Sequence, residues 1–429
     1  MMSPALRVGL LGCGTVGSAV LRLLGEQRED ITRRAGFQVD VTRVAVRDPH
    51  RDRGIALDPS VITDDPNVVV KDPDVDVVCE MIGGVEPARS LILVALDAGK
   101  PVVTANKELL ATMGRDLFHR AESSGVDLAF EAAVGGAIPL VRPLKESLAG
   151  DRVRRLMGIV NGTTNFILTR MSQDGLSFDE ALESARSLGY AEAGPSADVD
   201  GHDAAAKCAI LASIAFNSRV VASDVYREGI GSVNQTDIAY AAGLGYVIKP
   251  LAIAELEDQD VAARVHPAMI PADHPLAAVN GAFNAVFVES DHAGELMFFG
   301  QGAGGDPTAT AVVGDVIRVG RNLVLGGRAV GCTCYLGRRI RPMDDMEGAY
   351  YVLLDVRDRP GVLAQVAGVF GRNDVSIKSV WQEGTGEEAQ LVLITHRARE
   401  GALQTTVREL AELSPVSGVR SVLRVEGSE

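Results

Sequence analysis

The chain has 429 residues, 46% of them hydrophobic and 23% charged, with a formal net charge of −15. That acidic balance, with only 4% aromatic residues, argues against a nucleic-acid binder, which needs a basic footprint and stacking surfaces. No apolar run reaches the ~18 residues of a membrane span, the N-terminus lacks signal-peptide architecture, and Cys13, Cys79, Cys208, Cys332 and Cys334 are too scattered for a disulfide framework; a cytoplasmic enzyme of roughly two to four domains is expected.

In chain order, residues 6–12 form a short apolar run that ends in glycine, and residues 18–28 read as a helix with Val20, Leu21 and Leu24 on one stripe. Residues 38–46 alternate as a half-buried strand does. Further short strands fall at 75–78, 102–104 and 126–130, with helices at 87–99 and 107–124 between them. Such alternation implies a parallel, doubly wound sheet, the Rossmann-type α/β class, over residues 1–132. Residues 133–305 have a less regular α+β texture, with helices expected at 139–149, 178–188 and 200–217 and strands at 152–160, 245–254, 261–265 and 283–288. Residues 306–325 read as a long helix, within a segment of 306–335 that returns to complete the first domain. Residues 337–348 are charged and contain Pro and Gly, so they read as a linker. Residues 349–429 carry their own strand–helix–strand pattern.

The turn Gly12-Cys13-Gly14-Thr15-Val16-Gly17 follows a strand and opens a helix. Gly12 permits the tight turn, Gly14 lets backbone N–H groups approach a pyrophosphate, and Gly17 allows close helix–strand packing. The helix N-terminus adds partial positive charge, so a dinucleotide site is expected. At the end of the second strand stands Arg47, followed by Asp48. Arginine there suits a 2′-phosphate and an acid suits a ribose hydroxyl. Residues 1–57 hold nine arginines against six acids, which favours NADP, with NAD still open.

Asp203 and Lys207 are four residues apart, so they share a helix face. Asp200 is a good N-cap for that helix. Lys207 is flanked by Ala204–Ala206 and by Cys208–Leu211, so its ammonium is poorly placed for simple solvation. A lysine beside a carboxylate can hold and donate a proton. Residues 171–206 carry eight acids and one arginine, a surface suited to the ammonium of an amino acid. Lys107 opens a helix after a strand, at the edge of the sheet where ligands of open α/β folds bind.

The spacing from Gly189-Tyr190-Ala191-Glu192 through Asp198 and Gly201-His202-Asp203 to Lys207 resembles the homoserine dehydrogenase signature. The resemblance covers the first ~330 residues and includes Val103-Thr104-Ala105-Asn106-Lys107, Glu131 through Pro139, Asn161-Gly162-Thr163-Thr164-Asn165 and Gly302 through Thr308. It implies NAD(P)H-dependent, reversible reduction of aspartate semialdehyde to homoserine. Carried onto this chain, it implies that Lys207 donates a proton to the aldehyde oxygen, with Asp203 as its partner and Lys107 as a second lysine at the site. Glu192, Asp198, Asn161, Gly162 and Thr163 would bind substrate. Gly12, Gly14, Thr15, Val16, Gly17, Arg47, Gly83, Thr104, Lys107 and Gly302 would meet the cofactor. Glu131, Val134, Gly136 and Ile138 match a monovalent-cation site, sodium, held mostly by backbone oxygens. No preceding aspartate-kinase domain is expected, because the nucleotide fold begins at once. Asp358-Arg359-Pro360-Gly361-Val362-Leu363 and the later Val375-Ser376-Ile377 resemble the ACT domain, a ferredoxin-like βαββαβ amino-acid sensor. Threonine is the expected effector, and a homo-oligomer, dimer or tetramer, is the expected assembly. The competing readings are a dehydrogenase of another small amino-acid aldehyde and a non-catalytic amino-acid sensor. Joint retention of Lys107, Asp203 and Lys207 disfavours the sensor.

Overall fold

The structure is a computed structural model that describes residues 5–55, 57–191, 194–384 and 389–427. The chain forms two compact units: Met1–Leu156, Ala206–Asp224 and Asn284–Gly337 make the first, and Met157–Ala205, Val225–Phe283 and Arg338–Glu429 the second.

The first unit is built on strands β1 (Ala5–Leu11), β2 (Gln38–Ala45), β3 (Ile62–Thr63), β4 (Val77–Glu80), β5 (Val102–Thr104) and β6 (Leu128–Ala129). They form an all-parallel sheet in the order β3-β2-β1-β4-β5-β6. This strand order reverses beside β1, which opens a ligand crevice at the carboxyl ends. Helices α1 (Thr15–Glu26), α2 (Arg28–Ala35), α3 (Pro66–Lys71), α4 (Ala88–Asp97) and α5 (Lys107–Ser124) fill the connections. The long helix Gly305–Leu325 returns to this sheet, and its Ala309, Val312, Val316 and Val319 join Leu10, Val44, Val77 and Val20 in one core. Burying each valine or leucine side chain stabilises the fold by roughly 1.5–3 kcal/mol.

Several element limits differ from the sequence reading for local physical reasons. The helix read over 18–28 begins three residues earlier, at Thr15, and Gln27 separates it from α2. The helix read over 139–149 is reduced to a short wide turn, Pro143–Ser147. Proline at 139 and 143 cannot donate to a helix ladder, and the amides of Leu140, Val141 and Arg142 donate to the Glu131 carboxylate instead. Asp200 does not act as the N-cap read for it; it closes a short helix, Ser196–Val199, and Gly201 at φ +81° separates that turn from the helix His202–Ala215. The returning helix stops at Leu325, where Gly326 takes the left-handed conformation at φ +68°, ten residues before 335.

In the second unit, strands Tyr246–Glu257 and Asp260–Pro271 form an antiparallel pair. Strand Val416–Val425 joins Asp260–Pro271 in parallel, with Ala268 opposite Arg424 and Met269 opposite Val425. The sheet continues through Glu347–Val356, Ala389–Thr395 and Ile377–Glu383. With helices Val362–Arg372 and Glu400–Ala411, these last four strands make the expected βαββαβ module, in the order fourth-first-third-second. Tyr350, Leu354, Val366, Phe370, Leu391 and Leu403 form its core. The segment read as a linker is docked: Val261 N–H donates to the Arg339 carbonyl and Arg341 N–H to the Val261 carbonyl, both at 2.9 Å.

A buried ionic network lies where strand Val416–Val425 meets its neighbours. The Arg424 guanidinium donates to Glu228 at 2.9 Å and to Glu400 at 2.8 Å, while Tyr350 O–H donates to Glu400 at 2.7 Å. Arg264 donates to Glu426 at 2.8 Å and pairs with Glu255. Burial alone would raise the Glu400 carboxyl, but Arg424, helped by the Tyr350 and Gln404 donors, holds the group below its ordinary range. His266, fully enclosed and beside both arginines, is kept well below its ordinary value and stays neutral.

Candidate active site

The glycine-rich turn has the geometry its residues suggest. Gly12 sits at φ +100°, and a Cβ there would lie 2.9 Å from the Met81 carbonyl oxygen. A Cβ on Gly17 would collide with the Gly12 carbonyl, so α1 can start against β1 only with glycine here. Gly14 faces open space and is the N-cap of α1, with no side chain capping that helix. The first amides of α1, those of Thr15, Val16 and Gly17, have no intrahelical acceptor. Uncapped amides beside open space fit the pyrophosphate of a dinucleotide.

Glu80 was not anticipated from the sequence. It is fully buried at the end of β4 and accepts hydrogen bonds from Ile82 N–H at 2.8 Å, Gly83 N–H at 3.0 Å and the Thr104 hydroxyl at 2.6 Å. It braces the loops that follow β4 and β5, so Thr104 and Gly83 are held by one carboxylate. The available signal was an acid ending the apolar strand Val77-Val78-Cys79-Glu80 just before Gly83-Gly84. Arg47 is exposed just past β2. The neighbouring Asp48 carboxylate accepts from His50 N–H at 2.9 Å and so is engaged in its own turn.

Asn106 caps α5 by accepting from Leu109 N–H at 3.1 Å, and its amide donates to the Gly84 carbonyl at 2.7 Å. Lys107 is therefore delivered as the first residue of a helix locked to the loop after β4. A cavity of about 250 Å³ in the first unit is lined by Val16, Gly83, Lys107, Gly136, Lys207 and Gly302, among others. The glycine-rich turn and both lysines thus border one space. Lys207 is only 7% exposed. It projects from a helix whose Ala204, Ala205, Ala206, Cys208, Ala209 and Ile210 are buried, and it borders the cavity. Glycine at 302 is required because a Cβ would overlap the Asn284 amide; one on Gly136, at φ +57°, would lie 2.7 Å from the Gly302 carbonyl carbon.

In the second unit, Asn161 organises the acids. Its side-chain oxygen caps the helix Gly162–Asp174 by accepting from Thr164 N–H at 2.9 Å. Its amide nitrogen donates to Asp198 at 2.7 Å and to Asp203 at 2.8 Å. Three of the residues singled out from the sequence are brought together here. Gly162 is there for packing, since a Cβ would lie 2.6 Å from the Ala282 carbonyl oxygen. The Thr163 hydroxyl donates to the Tyr190 carbonyl at 2.7 Å. Glu192 lies outside the described residues.

The Glu131 carboxylate is almost wholly buried and accepts from Leu140 N–H at 2.6 Å and from the Val141 and Arg142 amides and the Arg142 side chain at 2.9 Å. Four donors occupy it, so a cation at this segment would have to use main-chain oxygens. Among the described residues, no three His, Cys, Asp or Glu side chains are grouped to hold a metal ion. Nor, among them, is any helix long and apolar enough to cross a membrane.

Three family models match the chain: "Homoserine dehydrogenase, NAD binding domain" over residues 12–131, "Homoserine dehydrogenase" over 139–317 and "ACT domain" over 350–415. The homoserine dehydrogenase of Mycobacterium tuberculosis is 52% identical over 432 residues, covering 98% of each chain. The solved structure of a homoserine dehydrogenase from Thiobacillus denitrificans superposes with a TM-score of 0.94 at 40% identity, again covering 98% of each chain. A hyperthermophilic archaeal homoserine dehydrogenase solved in complex with NADPH matches with a TM-score of 0.64 at 26% identity, covering 76% of this chain and 99% of its own.

Proposed function

Because the chain belongs to the homoserine dehydrogenase family, and is an oxidoreductase acting on a CH–OH group through a nicotinamide cofactor, we propose that it interconverts L-aspartate 4-semialdehyde and L-homoserine with Lys207 as proton donor. The observation that carries this assignment is the single cavity bordered by the glycine-rich turn, Lys107 and Lys207. A nicotinamide cofactor, when held by the glycine-rich turn, would supply the hydride chemistry for the aldehyde carbon. The Lys207 ammonium donates its proton to the aldehyde oxygen as negative charge develops there. Lys107, fixed at the start of α5, places a second positive charge at the same oxygen. Charges aimed at developing charge stabilise the transition state more than the substrate. Asp203, one helical turn before Lys207 on the same helix, is the partner of that lysine. Asp198 and Asp203, aligned by the Asn161 amide, take the substrate ammonium together with Glu192, and Gly162 and Thr163 shape that end of the site.

The cofactor is NADP. Arg47 is exposed at the end of β2 while Asp48 is engaged in its own turn, which leaves the arginine to meet a 2′-phosphate. A monovalent cation, sodium, would be held by main-chain oxygens of Glu131, Val134, Gly136 and Ile138, since hard cations suit such ligands. Residues 1–132 with the returning helix serve the dinucleotide, 133–305 the substrate and a second copy, and 349–429 a regulatory amino acid, threonine. Met297 at 38% and Phe299 at 55% exposure on strand Gly294–Gln301 support a homo-oligomer, because an apolar strand face left to water is an association surface. The cytoplasm is the compartment consistent with these substrates.

The test is NADPH absorbance with aspartate semialdehyde and the purified intact chain, followed by a threonine titration. Turnover with aspartate semialdehyde in preference to other short aldehydes, inhibited by threonine, supports the assignment. A folded chain that turns over another aldehyde in preference overturns the substrate, and one indifferent to threonine overturns the effector.

A further inference from the structure

We propose that Cys332 and Cys334 form a dithiol that hydroperoxides oxidise to an intramolecular disulfide, a modification site distinct from the catalytic cavity. The two residues line a second cavity of the first unit, about 480 Å³ in volume, whose walls include Phe118, Phe130, Lys145 and Ile210. Neither cysteine lines the cavity that holds Lys107 and Lys207.

The geometry brings the sulfurs together. The Cys334 amide donates to the Cys332 sulfur at 3.4 Å, and the one Cys334 S–H is shared between the Ser213 carbonyl, at 3.7 Å, and that sulfur. The loop is held on both sides. Cys332 N–H donates to Glu122 at 2.9 Å, and Tyr335 N–H donates to the Thr333 carbonyl at 2.9 Å, closing a tight turn around Cys334. Both thiols are half-buried, so a small oxidant reaches them, whereas Cys13, Cys79 and Cys208 are buried at 8%, 0% and 2% exposure.

The electrostatics favour a nucleophile at Cys332. The Cys334 thiol and amide as donors, with a smaller pull from the Lys145 ammonium, bring the Cys332 thiol down to about 6, against its burial and the nearby Glu122 carboxylate. Cys334 is pushed up by donating to that sulfur and stays protonated. A thiol with a lowered titration point and a second thiol two residues on in the same tight turn is the arrangement of oxidation-sensitive pairs. The Lys145 ammonium itself donates to the Val330 carbonyl at 2.8 Å and lies over the rings of Phe118 and Phe130, which fixes the positive charge in this cavity.

The chemistry balances without a further reagent. The Cys332 thiolate attacks one oxygen of ROOH; the S–O bond forms, the O–O bond breaks, and ROH departs after taking a proton from water. Cys332 is then a sulfenic acid, and the Cys334 thiol no longer has a thiolate to bond. The Cys334 sulfur attacks the Cys332 sulfur; the S–S bond forms, the S–O bond breaks, and hydroxide leaves with the Cys334 proton as water. The hydroperoxide gains two electrons and the dithiol loses two. The disulfide also removes the donor that the Cys334 thiol gives to the Ser213 carbonyl at 3.7 Å, in the helix that carries Lys207.

The test uses the intact chain exposed to hydrogen peroxide or cumene hydroperoxide, then to N-ethylmaleimide, with peptide mapping by mass. The expected result is one peptide spanning Cys332 and Cys334 that has lost two hydrogens and takes no maleimide, while Cys13, Cys79 and Cys208 react only after unfolding. In Cys334→Ser, Cys332 should stop at the sulfenic acid, trapped by dimedone. In Cys334→Ala, the pH at which Cys332 is half-alkylated by iodoacetamide should rise by about one pH unit or more, toward the ordinary thiol value. Both cysteines taking maleimide after peroxide, a disulfide between two chains, or an unchanged alkylation profile in Cys334→Ala each overturn the proposal. The peptide map of the unaltered chain decides the matter even where a variant folds poorly.

Discussion

Lys207 in the first unit and Arg424 in the second are both nearly enclosed cations, at 7% and 6% exposure, yet their settings differ. Lys207 borders a cavity together with Lys107. Arg424 faces Glu228 and Glu400 and cation–π contact with the Tyr226 ring. A buried charge is costly unless it is paired, and the second unit meets that cost with carboxylates. The first unit also sets its two lysines at the border of a space that a ligand can enter. Enclosure alone therefore says little about role; what the charge faces separates a group that acts on a ligand from one that joins strands. Lys249 is a third case. Its ammonium donates to the Val279 carbonyl at 2.6 Å and to the Asn280 amide oxygen at 3.0 Å, and burial pulls it down to about 8.

Substitutions test that contrast. The largest effect is expected from Lys207→Ala, which should lower kcat about 10²–10⁴-fold with little change in melting temperature. A destabilised but active variant would place Lys207 with the structural cations. Arg424→Met should do the reverse. It leaves Glu228 and Glu400 buried without their partner and should cost about 3–5 kcal/mol of stability, read as a lower urea midpoint, with kcat of the folded fraction retained. Replacing Arg424, Glu228 and Glu400 together by apolar residues should recover most of that loss.

A smaller effect is expected at Lys249. Its folded value lies below the unfolded one of about 10.4, so between pH 8 and about 10.4 the unfolded chain binds more protons. Stability should then rise with pH across that window, by up to about 3 kcal/mol relative to Lys249→Met. Matching pH profiles in the two proteins would show that Lys249 carries no burial penalty. The smallest effect is at the exposed Arg47. Arg47→Ser should raise KM for NADPH about tenfold, as loss of one charge-assisted contact does, and leave KM for NADH nearly unchanged. An equal rise for both would remove Arg47 from the 2′-phosphate.

The parts legible in the sequence are those where neighbours in the chain are neighbours in space. Gly12, Gly14 and Gly17 act within one turn, and Asp203 and Lys207 within one helix, so their spacing carries their meaning. The parallel sheet was legible from the alternation of strands and helices, and the βαββαβ module from the resemblance carried by Asp358–Leu363 and Val375–Ile377. What was missed depends on distant partners. Glu80 is significant because Thr104, 24 residues away, donates to it. The use of the Glu131 carboxylate is set by the amides of Leu140–Arg142, nine to eleven residues on, which donate to it. Arg424 meets Glu228 across 196 residues, a separation no periodicity reports. Asp200 failed as a cap because Gly201 turns the chain before the helix starts.

The parallel pairing of Ala268 and Met269 with Arg424 and Val425, continued by Glu426 N–H donating to the Met269 carbonyl at 2.9 Å, has a practical consequence for engineering. The final strand of the C-terminal module covers the Ala268–Met269 rim of Asp260–Pro271, beyond the Arg264–Val265 stretch that pairs with Tyr226–Arg227. A chain shortened before residue 416 would bare that rim, and an uncovered rim recruits other chains. Clumping after truncation would therefore report a lost seal rather than a lost sensor. Point changes in the module, with the last strand left in place, are the cleaner way to ask what it senses.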